Sequence, residues 1–362
     1  MKKEPNPSLL KKYLCGNASF EERKQVEQWY QELSFQNKIT DFQQDQESVW
    51  SSIQAATVKP KSYKFLKYAA LLIGLISCSL LILLYQQQDK AATLSLNIIE
   101  AGGNRAMLFV GTDSISLTDL DSGAVAIRNN IKITKLADGS IAYESLAGSK
   151  DNAWNKLSTP QGGQFKILLA DGSIVMLNAA SSLEFPSQFS GQTRKVKLQG
   201  EAFFEVSHNA NQPFIVENQL QTVTVLGTKF NIKAYENNKL ITSLIEGKVE
   251  VATASGKITL LPGEQAINSS GDLSHLKVFT KATTAWKEGR LAFEREPLSE
   301  IMAKVARWYN IEVVFEDEAL KEKSFTGSIP RNRPLNELLQ VLTMTGEVQF
   351  KLDKQQLIIS TN

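Results

Sequence analysis

From Ala69 to Tyr85 the chain reads AALLIGLISCSLLILLY, seventeen residues with no charge and no proline, and only Gly74, Ser77 and Ser79 are mildly polar. A helix built from this run has no polar face to turn toward water, so it needs an apolar surround on every side. Seventeen residues lie at the short end of the roughly 17–25 that cross a bilayer, and Phe65, Leu66 and Tyr68 extend the run by most of a turn. A signal peptide would stand within about the first 30 residues, so the run is expected to be a single membrane helix. The mean hydropathy of −0.19 conceals it by averaging over the whole chain.

Lys59, Lys61, Lys64 and Lys67 precede the run, whereas Gln86-Gln-Gln-Asp-Lys90 follows it. Positive charge is retained on the cytoplasmic side. Residues 1–68 are therefore expected inside and residues from 86 onward outside, in the periplasm of a cell with two membranes. The formal charge of +2, from 40 basic and 38 acidic side chains, splits accordingly. Residues 1–68 hold 11 basic and 8 acidic groups, and residues 86–362 hold 29 and 30. Neither part has the one-sided field that grips phosphate backbones, so nucleic acid is not an expected partner. Cys15 falls inside and Cys78 in the span, which leaves the exported part without disulfides.

Six segments follow from these boundaries: a helical head over 1–58, a basic linker over 59–68, the membrane helix 69–85, a linker over 86–99, a β-rich domain over 100–280 and an α+β module over 285–362. In the head, Leu9, Leu10, Tyr13 and Leu14 share one helical face. Ser19-Phe20-Glu21-Glu22 is a capping box for a second helix, with Val26, Trp29, Tyr30 and Leu33 on its inner side. Phe42, Val49, Trp50 and Ile53 mark a third. These side chains suit either a small core or a partner groove, and about 55 residues bury too little surface to be robust alone.

Beyond the span the pattern changes to short alternating runs broken by Gly, Asn and Asp, as in residues 165–178, 195–206, 221–235 and 241–253. Leu136-Ala-Asp-Gly-Ser-Ile141 recurs as Leu169-Ala-Asp-Gly-Ser-Ile174, and Gly102-Gly103 is echoed by Gly162-Gly163. Asp-Gly between strands suits hairpin turns, and the two Gly pairs read as turns as well. Stacked hairpins in a sandwich, jelly roll or solenoid are expected. After Trp286 the order strand, helix, strand appears twice: 290–293, 297–309 and 311–315, then 325–329, 334–345 and 348–352, with a last strand at 357–360. Pro297-Leu-Ser-Glu300 matches Pro334-Leu-Asn-Glu337, which predicts two βαβ-like halves. The fold class is therefore mixed: helical head, span, all-β domain and α+β module.

Two histidines and two cysteines are too few for a zinc site, and no nucleophile triad or phosphate loop can be read from spacing. His208 reads as a solvated loop residue. Glu201 and Glu205 lie four apart on one strand face, the arrangement of a glycosidase pair but without any supporting feature. The exported part is expected to bind and not to catalyse, with no cofactor, metal or small-molecule substrate.

Several ordered motifs carry a resemblance: Leu157-Ser-Thr-Pro-Gln-Gly-Gly-Gln-Phe165, Leu169–Ser173 with Leu177-Asn-Ala-Ala-Ser-Ser182, Gly200-Glu-Ala-Phe-Phe-Glu-Val206, Pro213–Val216, Val225-Leu-Gly-Thr-Lys-Phe-Asn-Ile232, Glu246–Val251, Leu261-Pro-Gly-Glu264, Ala285-Trp286-Lys287 and Phe325-Thr-Gly327. Over about 100–362 the chain resembles the FecR family of transmembrane anti-sigma factors, of the type abundant in Bacteroidetes. The head resembles the family by pattern alone.

The resemblance implies a relay in the inner membrane, controlling transcription. The signalling domain of an outer-membrane TonB-dependent receptor contacts the exported part, and the head controls an extracytoplasmic-function (ECF) sigma factor. Leu10, Tyr13, Leu14, Val26, Trp29, Tyr30, Leu33 and Trp50 are then the candidates for sigma-factor binding, and Phe325, Thr326 and Gly327 for receptor binding, with Phe325 equally suited to a core. Some family members cleave themselves at a Gly-Thr bond in the same stretch, here Gly227-Thr228; the alternative is an uncut strand or bulge. The competing reading is a membrane-tethered periplasmic protein that binds carbohydrate or is purely structural, with the head as a mere anchor.

Overall fold

The computed structural model describes residues 99–361 except 124, 129–130, 146–152, 236–238 and 278–280, together with Tyr13, Ser19, residues 21–24, Val26 and Gln28. The chain divides into two compact units, Met1–Pro5 with Arg23–Asn97 and Asn6–Glu22 with Ile98–Asn362. Of the first unit only Arg23, Lys24, Val26 and Gln28 are described, all helical. The apolar run 69–85 lies outside the described residues; among those described, no helix is long and apolar enough to cross a membrane.

The described strands from Gly103 to Lys277 form one continuous sheet that curls into two layers. One layer runs in the order Asp113–Ser116, Met107–Val110, Trp154–Thr159, Ser181–Pro186, the start of Arg194–Glu205, Phe214–Glu217, Thr222–Val225, Val249–Thr253 and Gly256–Leu260. The other runs Val125–Arg128, Ile131–Lys135, Ile141–Ser145, Gly163–Leu168, Ile174–Leu177, the end of Arg194–Glu205, Lys229–Ala234, Lys239–Glu246, Glu264–Ser269 and Asp272–Lys277. Of the three β-architectures the sequence allows, the chain adopts the sandwich.

Arg194–Glu205 crosses between the layers at Gly200, whose φ is +87°. A Cβ there would lie 2.7 Å from Ser181 Cα, so only glycine fits both the bend and the close approach. Alternation delivers Leu108, Leu183, Val196 and Phe214 from one layer, and Ile167, Val175, Phe204 and Phe230 from the other, into one core. Phe204 stacks on Phe230 at 4.9 Å and meets Phe214 edge-on at 6.2 Å, which joins the layers.

The repeated Asp-Gly segments are the same hairpin turn built twice. Leu136 N–H donates to Ser140 O and Leu169 N–H to Ser173 O, each at 2.8 Å, while Asp138 and Asp171 accept from the Ser140 and Ser173 amides at 3.1 and 3.0 Å. The two Gly pairs behave differently from two turns. Gly162 sits in one, but Gly103 opens a two-residue strand parallel to Gly163, its N–H donating to Gly162 O at 2.8 Å.

The C-terminal module has the expected elements: Arg290–Pro297, helix Leu298–Tyr309, Glu312–Phe315, Ser324–Pro330, helix Leu335–Thr343, Gln349–Asp353 and Gln356–Ser360. Pro297 and Pro334 cap the helices. The two βαβ halves do not form as such. Arg290–Pro297 pairs antiparallel with Ser324–Pro330, and Glu312–Phe315 pairs parallel with Gln356–Ser360, so each half splits between two sheets. Pro297 ends the first strand and caps the helix at once, leaving no loop to fold that helix back over its own strand. The strand's edge is taken instead by the second half.

Candidate functional site

Even-numbered residues of the crossing strand enter the core, so Glu201, Phe203 and Glu205 face outward. The C-terminal module covers the first two, which explains why Glu201 and Phe203 are buried on an outer face. Trp286 Nε1 donates to Asn231 Oδ1 at 3.2 Å, and Asn231 Nδ2 donates to Glu201 Oε1 at 3.0 Å. Asn178 Nδ2 holds Glu201 Oε2 at 2.8 Å, and Arg331 Nη2 donates to Asn178 Oδ1 at 3.2 Å. The Arg331 guanidinium lies 3.4 Å from the centre of the Trp308 ring, and Trp308 Nε1 donates to Arg331 O at 2.6 Å. Burial pulls the Arg331 pKa down to about 10, with Glu201 opposing that shift.

Both Glu201 oxygens are occupied by amides, and Glu205 stays at the rim beside Lys229. The arrangement locks two modules together and does not form a glycosidase pair. At its edge Lys233 pairs with Glu300 at 2.9 Å, Arg307 lies 3.9 Å over Tyr235, and Gly162 N–H donates to Arg307 O at 2.8 Å. Sequence reasoning missed this lock. Trp286, Asn178 and Asn231 stand inside quoted motifs, but nothing in spacing singles out Arg331 or Trp308.

At Gly227-Thr228 the backbone is held from both sides: Asn209 N–H donates to Leu226 O at 2.8 Å and Val206 N–H to Thr228 O at 3.0 Å. The buried Thr228 hydroxyl donates to Lys248 O at 3.1 Å. Exposed His208 stands against Gly227, where an added Cβ would fall 2.7 Å from its Nδ1. The register slips between Lys229 and Phe230, one bond beyond, so this stretch has a bulge. Behind it Arg194, 1% exposed, pairs with Asp171 at 2.8 Å and donates to Ser207 O and Gln212 O, both at 2.8 Å.

In the C-terminal module Phe325 is 2% exposed, which matches its role in the core. Thr326 and Gly327 are half-buried; Thr326 Oγ1 accepts from Arg295 N–H at 2.8 Å, and Gly327 lies opposite Phe293. In the head, Ser19 N–H donates to Glu22 Oε2 at 2.8 Å and Glu22 N–H to Ser19 Oγ at 3.3 Å, so the capping box forms. Tyr13 and Val26 are buried. Leu10, Leu14, Trp29, Tyr30, Leu33 and Trp50 lie outside the described residues.

Comparison with known proteins bears on the sandwich and on the C-terminal module. The FecR protein family matches residues 155–250, and the FecR C-terminal family matches 290–359. Crystal structures of a candidate anti-sigma factor from Parabacteroides distasonis ATCC 8503, at 1.65 and 2.50 Å resolution, are each 30% identical with a TM-score of 0.54. The first covers 57% of this chain and 99% of its own, the second 58% and 100%. No curated protein matches. The sandwich, the docked C-terminal module and these similarities agree, and the chain belongs to the FecR family of anti-sigma factors.

Proposed function

We propose that this anti-sigma factor is a single-pass inner-membrane relay, with its head in the cytoplasm and its β-rich domain and α+β module in the periplasm. The observation that carries the reading is the uncharged run 69–85 placed between four lysines and the exported modules. The signalling domain of an outer-membrane TonB-dependent receptor contacts the C-terminal module on the strand Ser324–Pro330, through Thr326 and Gly327 at its surface. The head holds an ECF sigma factor in a helix-in-groove contact through Trp29, Tyr30 and their neighbours. A subtle shift travels poorly along one rigid helix, so the signal is passed by release or proteolysis of the head. Cleavage at Gly227-Thr228 belongs to the same reading. The Thr228 oxygen attacks the Gly227 carbonyl, its proton passes to the departing amine, and water opens the ester.

Co-purification of the full-length chain with each ECF sigma factor of the same cell tests the relay. Capture is expected, and Trp29→Ala with Tyr30→Ala is expected to abolish it. Failure of the wild-type head to bind would leave the tethered-anchor reading in its place. Thr228→Ala is expected to remove one fragment from the pattern seen on expression; an unchanged pattern ends the self-cleavage reading.

A further inference from the structure

Between the sandwich and the C-terminal module lies a cleft of about 610 Å³, whose lining includes eight basic and four acidic side chains. That excess stands out in an exported part holding 29 basic and 30 acidic groups. Three of the four acids are already engaged: Glu201 by two asparagines, Glu296 by Lys304 at 2.6 Å and Glu300 by Lys233 at 2.9 Å. Lys239, Lys277, Arg295 and Arg307 make no ion pair within 4 Å among the described residues, with Lys239 facing Glu300 and Lys277 facing Glu264 at longer range. Arg331, 3% exposed, also lines the cleft, its guanidinium already held over Trp308 and by Asn178.

A second feature points the same way. The strand Arg290–Pro297 slips register between Phe293 and Glu296, and Arg295 within the bulge has φ +46°. A left-handed arginine is a strained choice where glycine would serve, and such positions cluster at functional sites. Arg295 is exposed there, on a strand whose one strand partner among the described residues is Ser324–Pro330; on its other side Lys304 Nζ donates to Ala292 O at 3.3 Å. Leu276, 48% exposed, adds an apolar patch to the lining.

We infer that this cleft binds an extended acidic peptide, its carboxylates held by Arg295, Arg307, Lys239 and Lys277 and its backbone lying beside the strand Arg290–Pro297. Basic groups contributed by both modules are spread too widely for one small anion, and a chain with carboxylates at intervals along it matches that spread. The inference stands apart from the sigma-factor contact and from the self-cleavage reading.

Calorimetric titration of the full-length chain in detergent micelles, at about 50 mM salt, tests it with three probes: hexaglutamate, hexaglutamine and glutarate. Hexaglutamate is expected to bind, more weakly as salt rises, and hexaglutamine is not. Arg295→Glu and Lys277→Glu, both at exposed positions, are each expected to weaken hexaglutamate at least about tenfold while thermal unfolding stays unchanged. Should one variant fail to fold, the other carries the test. Equal binding of the two peptides, no binding of hexaglutamate, or unchanged binding in a folded variant overturns the inference. Glutarate binding as tightly as the peptide overturns the assignment to a peptide.

Discussion

The guanidinium of Arg331 lies flat on the indole of Trp308, 3.4 Å from the ring centre, while the Trp308 N–H donates to the Arg331 carbonyl at 2.6 Å. One pair thus fixes the helix Leu298–Tyr309 to the turn after Ser324–Pro330. Through Asn178 and Glu201 it also fixes both to the sandwich. Trp308 is 5% exposed, so Trp308→Ala removes a large buried ring and leaves Arg331 without its platform. A loss of about 3–5 kcal/mol is expected. Chemical denaturation should show the C-terminal module released before the sandwich, as a first transition absent from the wild type.

Gly200→Ala tests the crossing between layers. A Cβ at φ +87° that meets Ser181 Cα at 2.7 Å should cost about 2 kcal/mol or more. The change is expected to lower Tm, whereas Gly191→Ala, where a Cβ meets nothing within 4 Å, should cost less because only its φ of +105° is at stake.

Arg194 has its charge buried with Asp171 and further donors on the carbonyls of Ser207, Gln212 and Leu226. Arg194→Ala leaves Asp171 unpaired and is expected to cost about 3–5 kcal/mol. Hydrogen exchange should rise at Asn209, whose amide reaches the Leu226 carbonyl just before Gly227.

Glu264 gives the acid side of the stability profile. Its carboxylate accepts the Leu261 N–H at 2.8 Å and faces His275 Nε2 at 3.0 Å; the Leu261 amide first, then His275, hold its pKa below the ordinary glutamate range against the opposing effect of burial. A lowered folded-state value means stabilisation present above the ordinary glutamate pKa and lost as pH falls through the lowered one. The Tm difference between wild type and Glu264→Gln is expected to be largest near about pH 7 and to close below about pH 4. A constant difference across that range would contradict it.

Much of this architecture is written in local pattern. Pro297 and Pro334 mark where helices begin, the doubled Leu-Ala-Asp-Gly-Ser-Ile marks where strands turn, and alternation in Ser181–Pro186 and Gly163–Leu168 marks which side chains go inside. Each depends on neighbours within a few residues, so each can be read before any fold exists. The uncharged run 69–85 belongs to the same class, since the lack of a polar face needs no partner to be visible.

Pairing and meeting are another matter. That Arg290–Pro297 takes Ser324–Pro330 as its neighbour, that Gly200 turns one strand into two layers, and that Arg331 meets Asn178 across 153 positions of chain are decided by edges and faces that exist only after collapse. The module lock could not be foreseen because Glu201 and Phe203 alternate like solvent-facing residues and are buried only by a second module arriving on top of them. Local periodicity therefore settled the elements and the doubled Asp-Gly turns, and it marked the uncharged run 69–85. The partners of each strand, the burial of a charged network and the basic cleft beside it were left to tertiary packing, because each depends on groups far apart in the chain sharing one desolvated space.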